Sequence, residues 1–333
     1  MSESILKNIP YSVLDLATVL DGYTAADTFK TSLKIAQQAD ELGYTRYWFA
    51  EHHNMAGVAS SSPPVLIGFI AGATKTIRVG SGGIMLPNHS PLIVAEQFGT
   101  LASLYPGRID LGLGRAPGTD QVTAMAIRGE NFNAAHNFPG DVAKLQQLFS
   151  ANNHASNVRS IPGEGLEIPI WILGSSTDSA RLAAEKGLPY AFASHFAPAY
   201  FEQAISIYRN NFKPSAYLNE PYVMACVNVV AADTDERAEV LSSSVKQMFL
   251  GVITGKRSKL KPPVENINDH WNQMEKEAVE QMLYYSFIGS ANTIKLNLEA
   301  FVLKYGVNEI MSTSHIYDQD AKLNSNKIFA GLF

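Results

Sequence analysis

Residues 77–91 read IRVGSGGIMLPNHSP: an apolar strand at 77–81, a glycine pair, and a helix that starts only at Ser90 and Pro91. Proline suits the first helical position because the N–H it lacks would be unpaired there anyway. The separation between Gly83 and that helix decides the fold. In an open nucleotide-binding sheet a glycine-rich turn passes directly from strand to helix, and a G-x-G-x-x-G string marks it. No such string opens a helix anywhere in this chain, which favours a closed barrel.

Working outward, apolar runs alternate with helix-period segments toward both ends. Upstream, strands are read at 11–16 and 44–50, with a mostly apolar helix at 63–74. An earlier helix begins at Thr24, where Asp27 completes a capping box, and Gly43 stops it. Downstream, the helix from Ser90 runs to about Tyr105, and Pro106 and Gly107 turn the chain into a strand at 108–113. The polar, glycine-bearing stretch 118–137 is read as a long loop over the rim, followed by a helix at 141–149 and a surface segment at 150–167. Strands at 168–173, 189–193 and 222–230 then alternate with helices at 175–186, 199–212 and 232–250. Segments 274–288, 293–305 and 307–311 complete the pattern. Strands interleaved with helices in this way predict an α/β fold, a (β/α)8 TIM barrel with rim insertions. It spans 1–333 as a single domain, in which the lysine- and proline-rich segment 251–275 is expected to act as a mobile lid.

With 46% hydrophobic and 17% charged residues, the chain has the material for a large core and is not disordered. A net charge of -5 argues against nucleic acid as a partner. The single cysteine, Cys226, rules out an intrachain disulfide and sits in an apolar run, as a buried strand residue does. Residues 1–10 carry no signal-peptide pattern and no apolar run nears the ~20 residues that span a bilayer, so a cytoplasmic protein with no membrane contact is expected.

Strand ends of a parallel barrel converge on one rim, where such folds place their chemistry. Trp48, Phe49, Ala50, Glu51, His52 and His53 form one such end, and Gly112, Leu113, Gly114, Arg115 and Ala116 another. Successive residues of a strand face opposite ways, so His52 and His53 cannot both face the rim centre if the strand continues through them. That disfavours a metal site and leaves one imidazole as an acid/base or hydrogen-bonding group. Gly82 and Gly83 admit either a close approach of backbone to a flat ligand or a β-bulge. His89 is read as capping the next helix. Arg115 is placed to meet an anion, or else forms a surface ion pair with Asp110 or Asp120. Gly174, Ser175, Ser176, Thr177, Asp178 and Ser179 lie where a strand hands over to a helix, so free N–H groups and hydroxyls suit an anion, although Asp178 would repel one if turned inward. Ser194, His195 and Phe196, with Ser312, Thr313, Ser314 and His315, are read as pocket wall together with Tyr11, Phe49, Phe192 and Tyr317.

Together these stretches resemble the bacterial luciferase-like family of flavin-dependent monooxygenases. The resemblance spans most of the chain. It rests on residues 48–53, 79–86 with His89, Ser90, Pro91, Ala95 and Glu96, 106–115, 169–172 and 183–189. The fuller string LPNHSPLIVAEQF at 86–98 is similar to a bacterial subgroup without an assigned substrate. The resemblance implies a barrel, usually a homodimer, that takes FMN in reduced form as co-substrate and, with O2, oxygenates a small organic substrate. Some relatives use F420 instead. It implies that His52 is the catalytic histidine beside the flavin edge and Glu51 a polar residue of the same pocket. Gly82 and Gly83 would lie under the ring, often joined by a non-proline cis peptide. Arg115 would stand near the phosphate, with Gly174, Ser175, Ser176 and Ser179 where it is held. Luciferase itself has a glutamate in place of Ser175 and a cysteine in place of Gly114, so light emission from an aldehyde is not expected. No nicotinamide motif is present, which implies a flavin reductase as the source of reduced flavin. Closure of the lid would keep the pocket dry. Two rival readings are an FMN- or F420-binding protein without turnover, and a metal-dependent barrel hydrolase using His52, His53, His195 and His315.

Overall fold

The computed structural model describes residues 4–129 and 134–333. Among them, the strands are β1 (Tyr11–Asp15), β2 (Arg46–Phe49), β3 (Arg78–Met85), β4 (Ile109–Gly114), β5 (Ile170–Gly174), β6 (Tyr190–Phe192), β7 (Val223–Ala231), β8 (Ser286–Gly289) and β9 (Glu309–Thr313). Neighbours from β1 to β7 pair in parallel and in order; β7 then pairs with β9, and β9 with β1. Eight strands therefore close on themselves, the (β/α)8 TIM barrel expected from the sequence. β8 stands outside that ring: it pairs only with the far end of β7, from Asn228 to Ala231, beyond most of the reach of β9. Segment 274–288 hid this short strand behind a helix.

Parallel neighbours need a crossover between them. The helices supplying these are α1 (Ala25–Glu41), α2 (Pro63–Ala73), α3 (Pro91–Leu104), α4 (Gln121–Arg128), α5 (Phe138–Phe149), α6 (Thr177–Lys186), α7 (Phe201–Asn211), α8 (Asp235–Ile253), α9 (Gln273–Met282), α10 (Ala291–Tyr305) and α11 (Gln319–Ala330). The Thr24–Asp27 capping box opens α1, and Ser90 with Pro91 opens α3, as read. Two readings are corrected. The stretch 118–137 is no simple loop, because Asp120 accepts from the Thr123 N–H and starts α4, which Gly129 ends; residues 130–133 of that stretch lie outside the described ones. The third strand continues through the glycines to Met85, with a shift of register between Ser81 and Ile84. No helix among the described residues is long and apolar enough to cross a membrane.

Alternation along the strands sorts the core into two shells. Val13, Tyr47, Phe49, Leu111, Ile172, Tyr190 and Phe192 point outward and pack under the helices. Leu14, Trp48, Trp171, Met224, Cys226 and Met311 point inward and fill the barrel. At the N-terminal ends of the strands a buried ionic cluster closes the interior. Arg46 pairs with Asp110 (2.7 Å) and Glu309 (3.1 Å), and Arg78 joins Asp110 (2.6 Å). Trp48 Nε1–H and the Tyr222 hydroxyl donate to these two carboxylates. The opposite rim is left for chemistry.

Candidate active site

His52 lies three residues past the end of β2, His195 in the turn after β6 and His315 two residues past β9. These loops bring the three side chains close enough at the rim for the charges of His52 and His315 to act on His195. Three imidazoles thus come from β2, β6 and β9. Burial pushes His195 and His315 down to about 3; for His195 the charges of His315 and His52 add to the effect, and for His315 that of Lys322. His52 is lowered by burial first and further by Arg257, against a raising bond to Gly118. All three rings are neutral at neutral pH.

The tautomer of His52 follows from its partner. Nδ1 lies 3.1 Å from the Gly118 carbonyl, which can only accept, so Nδ1 carries the hydrogen and Nε2 keeps its lone pair. Gly118 holds φ at +67°, and a Cβ there would lie 2.6 Å from the Glu51 carbonyl oxygen, so only glycine brings that acceptor to the imidazole. Beside the rings, His195 Nδ1 and Asn228 Oδ1 are buried without a protein partner among the described residues. Asn228 donates to the His195 carbonyl (2.6 Å).

Glu51, two residues past the end of β2, is fully buried. Its carboxylate accepts from His53 Nε2 (2.8 Å), His89 Nε2 (2.9 Å) and the Met85 N–H (3.0 Å). Burial alone would raise its pKa, but the bonds from His53 and His89, the charge of His89 and the Met85 N–H hold it at about 2. Glu51 therefore stands behind the wall that His52 faces, rather than in the pocket. The clamp ties the end of β2 to the end of β3. His53 and His89 were legible only as single histidines, because the partner that gives them a role arrives from elsewhere in the fold.

Around the ring, β4 and β5 deliver a second corner. Arg115 Nη1 reaches across to Asp178 Oδ2 in the first turn of α6 (3.2 Å), not to Asp110 or Asp120. Asp110 is held in the ionic cluster and Asp120 caps α4. Ser176 is the N-cap residue of α6, yet its side chain makes no capping bond. Its hydroxyl and that of Ser175 have no protein partner among the described residues, and the first N–H groups of α6 are open as in any helix. Ser179 is different: its hydroxyl donates to the Ser176 carbonyl (2.9 Å) and meets the Tyr190 hydroxyl (3.0 Å), so it lies behind the loop. A Cβ on Gly174 would fall 1.8 Å from Ser179 Oγ, which fixes glycine there. Between the two corners runs the Gly82–Gly83 peptide, which is cis. A Cβ on Gly82 would meet Leu14 inside the barrel and one on Gly83 the Gly112 carbonyl (both 2.7 Å), so this part of the wall is bare backbone.

Three residues read as pocket wall are not. Phe49 and Phe192 belong to the outer shell, and Tyr11 lies at the opposite end, stacked on Phe333. Tyr317 is at the rim, bonded to the Asp21 carbonyl (2.8 Å). Among the described residues no group of three or more His, Cys, Asp and Glu side chains could hold a metal ion.

Comparison with known proteins places this geometry. The family model described as luciferase-like monooxygenase matches residues 9–307. A protein of Escherichia coli (strain K12) named luciferase-like monooxygenase is 50% identical over 96% of this chain and 95% of its own. The N-acetyl-S-alkylcysteine monooxygenase of Bacillus subtilis (strain 168) is 36% identical over 79% of this chain and 82% of its own. Among solved structures, apo-MsnO8 superposes with a TM-score of 0.87 at 31% identity, covering 98% of both chains. The oxygenating constituent of 3,6-diketocamphane monooxygenase from Pseudomonas putida, in complex with FMN, shares the fold with a TM-score of 0.76 at 18% identity over 97% of this chain and 96% of that one.

Proposed function

Because this chain belongs to the family of luciferase-like monooxygenases, we propose that it is an FMN-dependent monooxygenase that uses reduced flavin and O2 on a small organic substrate. One observation carries this reading: a neutral imidazole with a free Nε2 and an anion-ready helix start stand on the same rim, with bare backbone between them. The residues present fit the group. Arg115, Ser175, Ser176 and the first N–H groups of α6, beside Gly174, would hold its phosphate, and Gly82 and Gly83 would lie against its ring. Arg115 would exchange Asp178 for the phosphate, a more highly charged partner. Ser179 would shape this loop from behind. When bound, reduced flavin supplies the electrons that activate O2.

The chain's own part is positional and protolytic. His52 Nε2 accepts a proton at the reacting centre, and the Gly118 carbonyl stabilises the imidazolium that results. The partnerless His195 Nδ1 and Asn228 Oδ1 orient the substrate by hydrogen bonds. The segment 251–275, by closing, excludes water. A flavin reductase supplying the reduced group and a cytoplasmic location belong to the same proposal. So does a homodimer: Val65 and Phe69 on α2 and Ile93 on α3 are exposed apolar side chains on adjacent helices. Replacing Phe69 by Glu is expected to shift the protein from dimer to monomer in sedimentation; an unchanged mass would place the interface elsewhere.

The deciding experiment titrates the protein with FMN and F420, oxidised and reduced, then follows O2 consumption with a substrate panel. Tight FMN binding with substrate-dependent O2 uptake is expected. FMN binding with no turnover across the panel would favour a flavin carrier, and preference for F420 would overturn the cofactor assignment. Arg115→Ala is expected to weaken FMN about tenfold, the lower end of what a charge-assisted bond contributes for a half-exposed group. Unchanged affinity in an equilibrium titration would remove Arg115 from the phosphate corner.

A further inference from the structure

Residues 256–261 read KRSKLK, four cations in a chain whose net charge is -5. The stretch is seated on the rim. The Leu260 N–H donates to the Val19 carbonyl (2.9 Å), its own carbonyl accepts from Asp21 (2.8 Å), and Lys259 Nζ donates to the Tyr23 carbonyl (2.8 Å). On the β2 side, the Ser258 carbonyl packs so closely on Gly57 that a Cβ there would be 2.5 Å from its oxygen. Leu260 is buried by this docking. The result is that Arg257 overlies the loop after β2, its guanidinium against Met55 Sδ (3.9 Å), three residues beyond His52.

Charge makes this placement informative. Arg46, Arg78, Arg115, Arg159 and Arg181 each have a carboxylate within ion-pair distance. Arg108 and Arg209 are bonded to backbone carbonyls and Arg128 to Asn88 Oδ1. Arg237 is exposed on α8, away from the rim loops that Arg257 overlies. Among the described residues, no ion pair involves Lys256, Arg257, Lys259 or Lys261. The rim groups below it, His52, His195, His315 and Asn228, are neutral, and the one cation that acts on them from elsewhere, Lys322, reaches His315 from α11. The phosphate corner lies at β4 and β5, across the ring from this segment, and has its own arginine. A guanidinium without an ion pair on the rim, close enough for its charge to act on His52 and with apolar Met311, Cys226 and Leu14 in the barrel below, suits a ligand with one anionic end and an apolar remainder.

Resting on the assignment above, we propose that Arg257 is the specificity-determining residue of this pocket and that it receives the carboxylate of a small substrate whose apolar arm extends toward His52. The planar fork of a guanidinium matches a carboxylate through two parallel bonds. Docked as seen, the segment would bring that fork over the ligand while shutting out water, so recognition and closure would be one event.

The test uses FMN-loaded protein and a series of small carboxylates, each paired with its methyl ester, starting with N-acetyl-S-benzylcysteine. Calorimetry on the wild type is expected to show at least one acid binding tenfold or more tightly than its ester. Arg257→Gln should weaken that acid about tenfold, to the level of the ester, with ester and FMN affinities unchanged; Arg257→Lys should fall between. A second readout needs no ligand: the imidazole of His52, followed by NMR, should titrate at higher pH in Arg257→Gln. The proposal is overturned if no acid in the series is preferred, or if the preference survives in Arg257→Gln. Failure of the wild type to bind FMN would instead defeat the parent assignment, so the two outcomes are separable.

Discussion

His52→Ala is expected to lower turnover with reduced flavin by about 10²–10⁴-fold, the range a positioned acid/base group contributes, while FMN affinity stays within a few-fold. The split follows from geometry. His52 is held on the β2 side of the rim by its own Nδ1–H bond to Gly118, whereas the phosphate corner belongs to β4 and β5. A wild-type pH profile gives an independent check with a definite sign. The imidazole works as a base and its pKa lies below the ordinary 6.5 because of burial, with Arg257 adding to the effect. The rate should therefore fall on the acid side, as His52 takes up a proton, at a lower pH than an ordinary imidazole would give. An unchanged rate in His52→Ala, measured at saturating substrate and FMN, would remove the residue from the reaction.

Glu51→Ala is the largest stability effect expected. It leaves three part-buried donors, His53 Nε2–H, His89 Nε2–H and the Met85 N–H, without an acceptor. An unsatisfied donor costs about 1–3 kcal/mol when fully buried, so three part-buried ones together cost roughly 3 kcal/mol, against a total of about 5–15 kcal/mol for a folded protein. Melting should drop by about 10 °C, and Glu51→Gln, which keeps one acceptor oxygen, by less. Because the carboxylate has a folded-state pKa of about 2 against an ordinary 4.5, its contribution is complete above pH 4.5. That contribution is lost as pH falls toward 2. The melting temperature of the wild type should decline through that window and that of Glu51→Ala should be flatter. A variant that melts with the wild type would show that the clamp contributes nothing.

The ring of strands was legible because its signals are local. Thr24 with Asp27, Ser90 with Pro91 and apolar runs of strand length each declare themselves within a few residues. β8 was not, because it is short and the turn that parts it from α9, Leu283 to Tyr285, carries no glycine or proline to mark it. α4 escaped because its polar setting masked the Asp120 cap. Within the site, the open hydroxyls of Ser175 and Ser176 stand at the strand-to-helix junction where the sequence places them, but Ser179 turns away for a reason no spacing encodes: Tyr190 and the Ser176 carbonyl claim its hydroxyl. His195 and His315 follow strand ends in the sequence, but their meeting with His52 depends on the loops after β2 and β6, which spacing does not specify. Counting in twos within the strands does remove Phe49 and Phe192 from the wall. The pairing of Glu51 with His53 and His89 is long-range, so only the folded chain reveals it.

The ionic cluster at the far end of the barrel bears on how this scaffold can be altered. Arg46 is bound to acids from two different strands, Asp110 and Glu309, and Arg78 shares the first of them. Sliding one stave by a single residue would maroon a charge in hydrocarbon, so the cluster is a keyway that admits one alignment. It stands roughly 15 Å below the loops, the length of a five-residue strand, far enough for changes at the two ends to add without interfering. Libraries confined to the mouth can therefore redirect what is oxidised while the lower end keeps the staves in line.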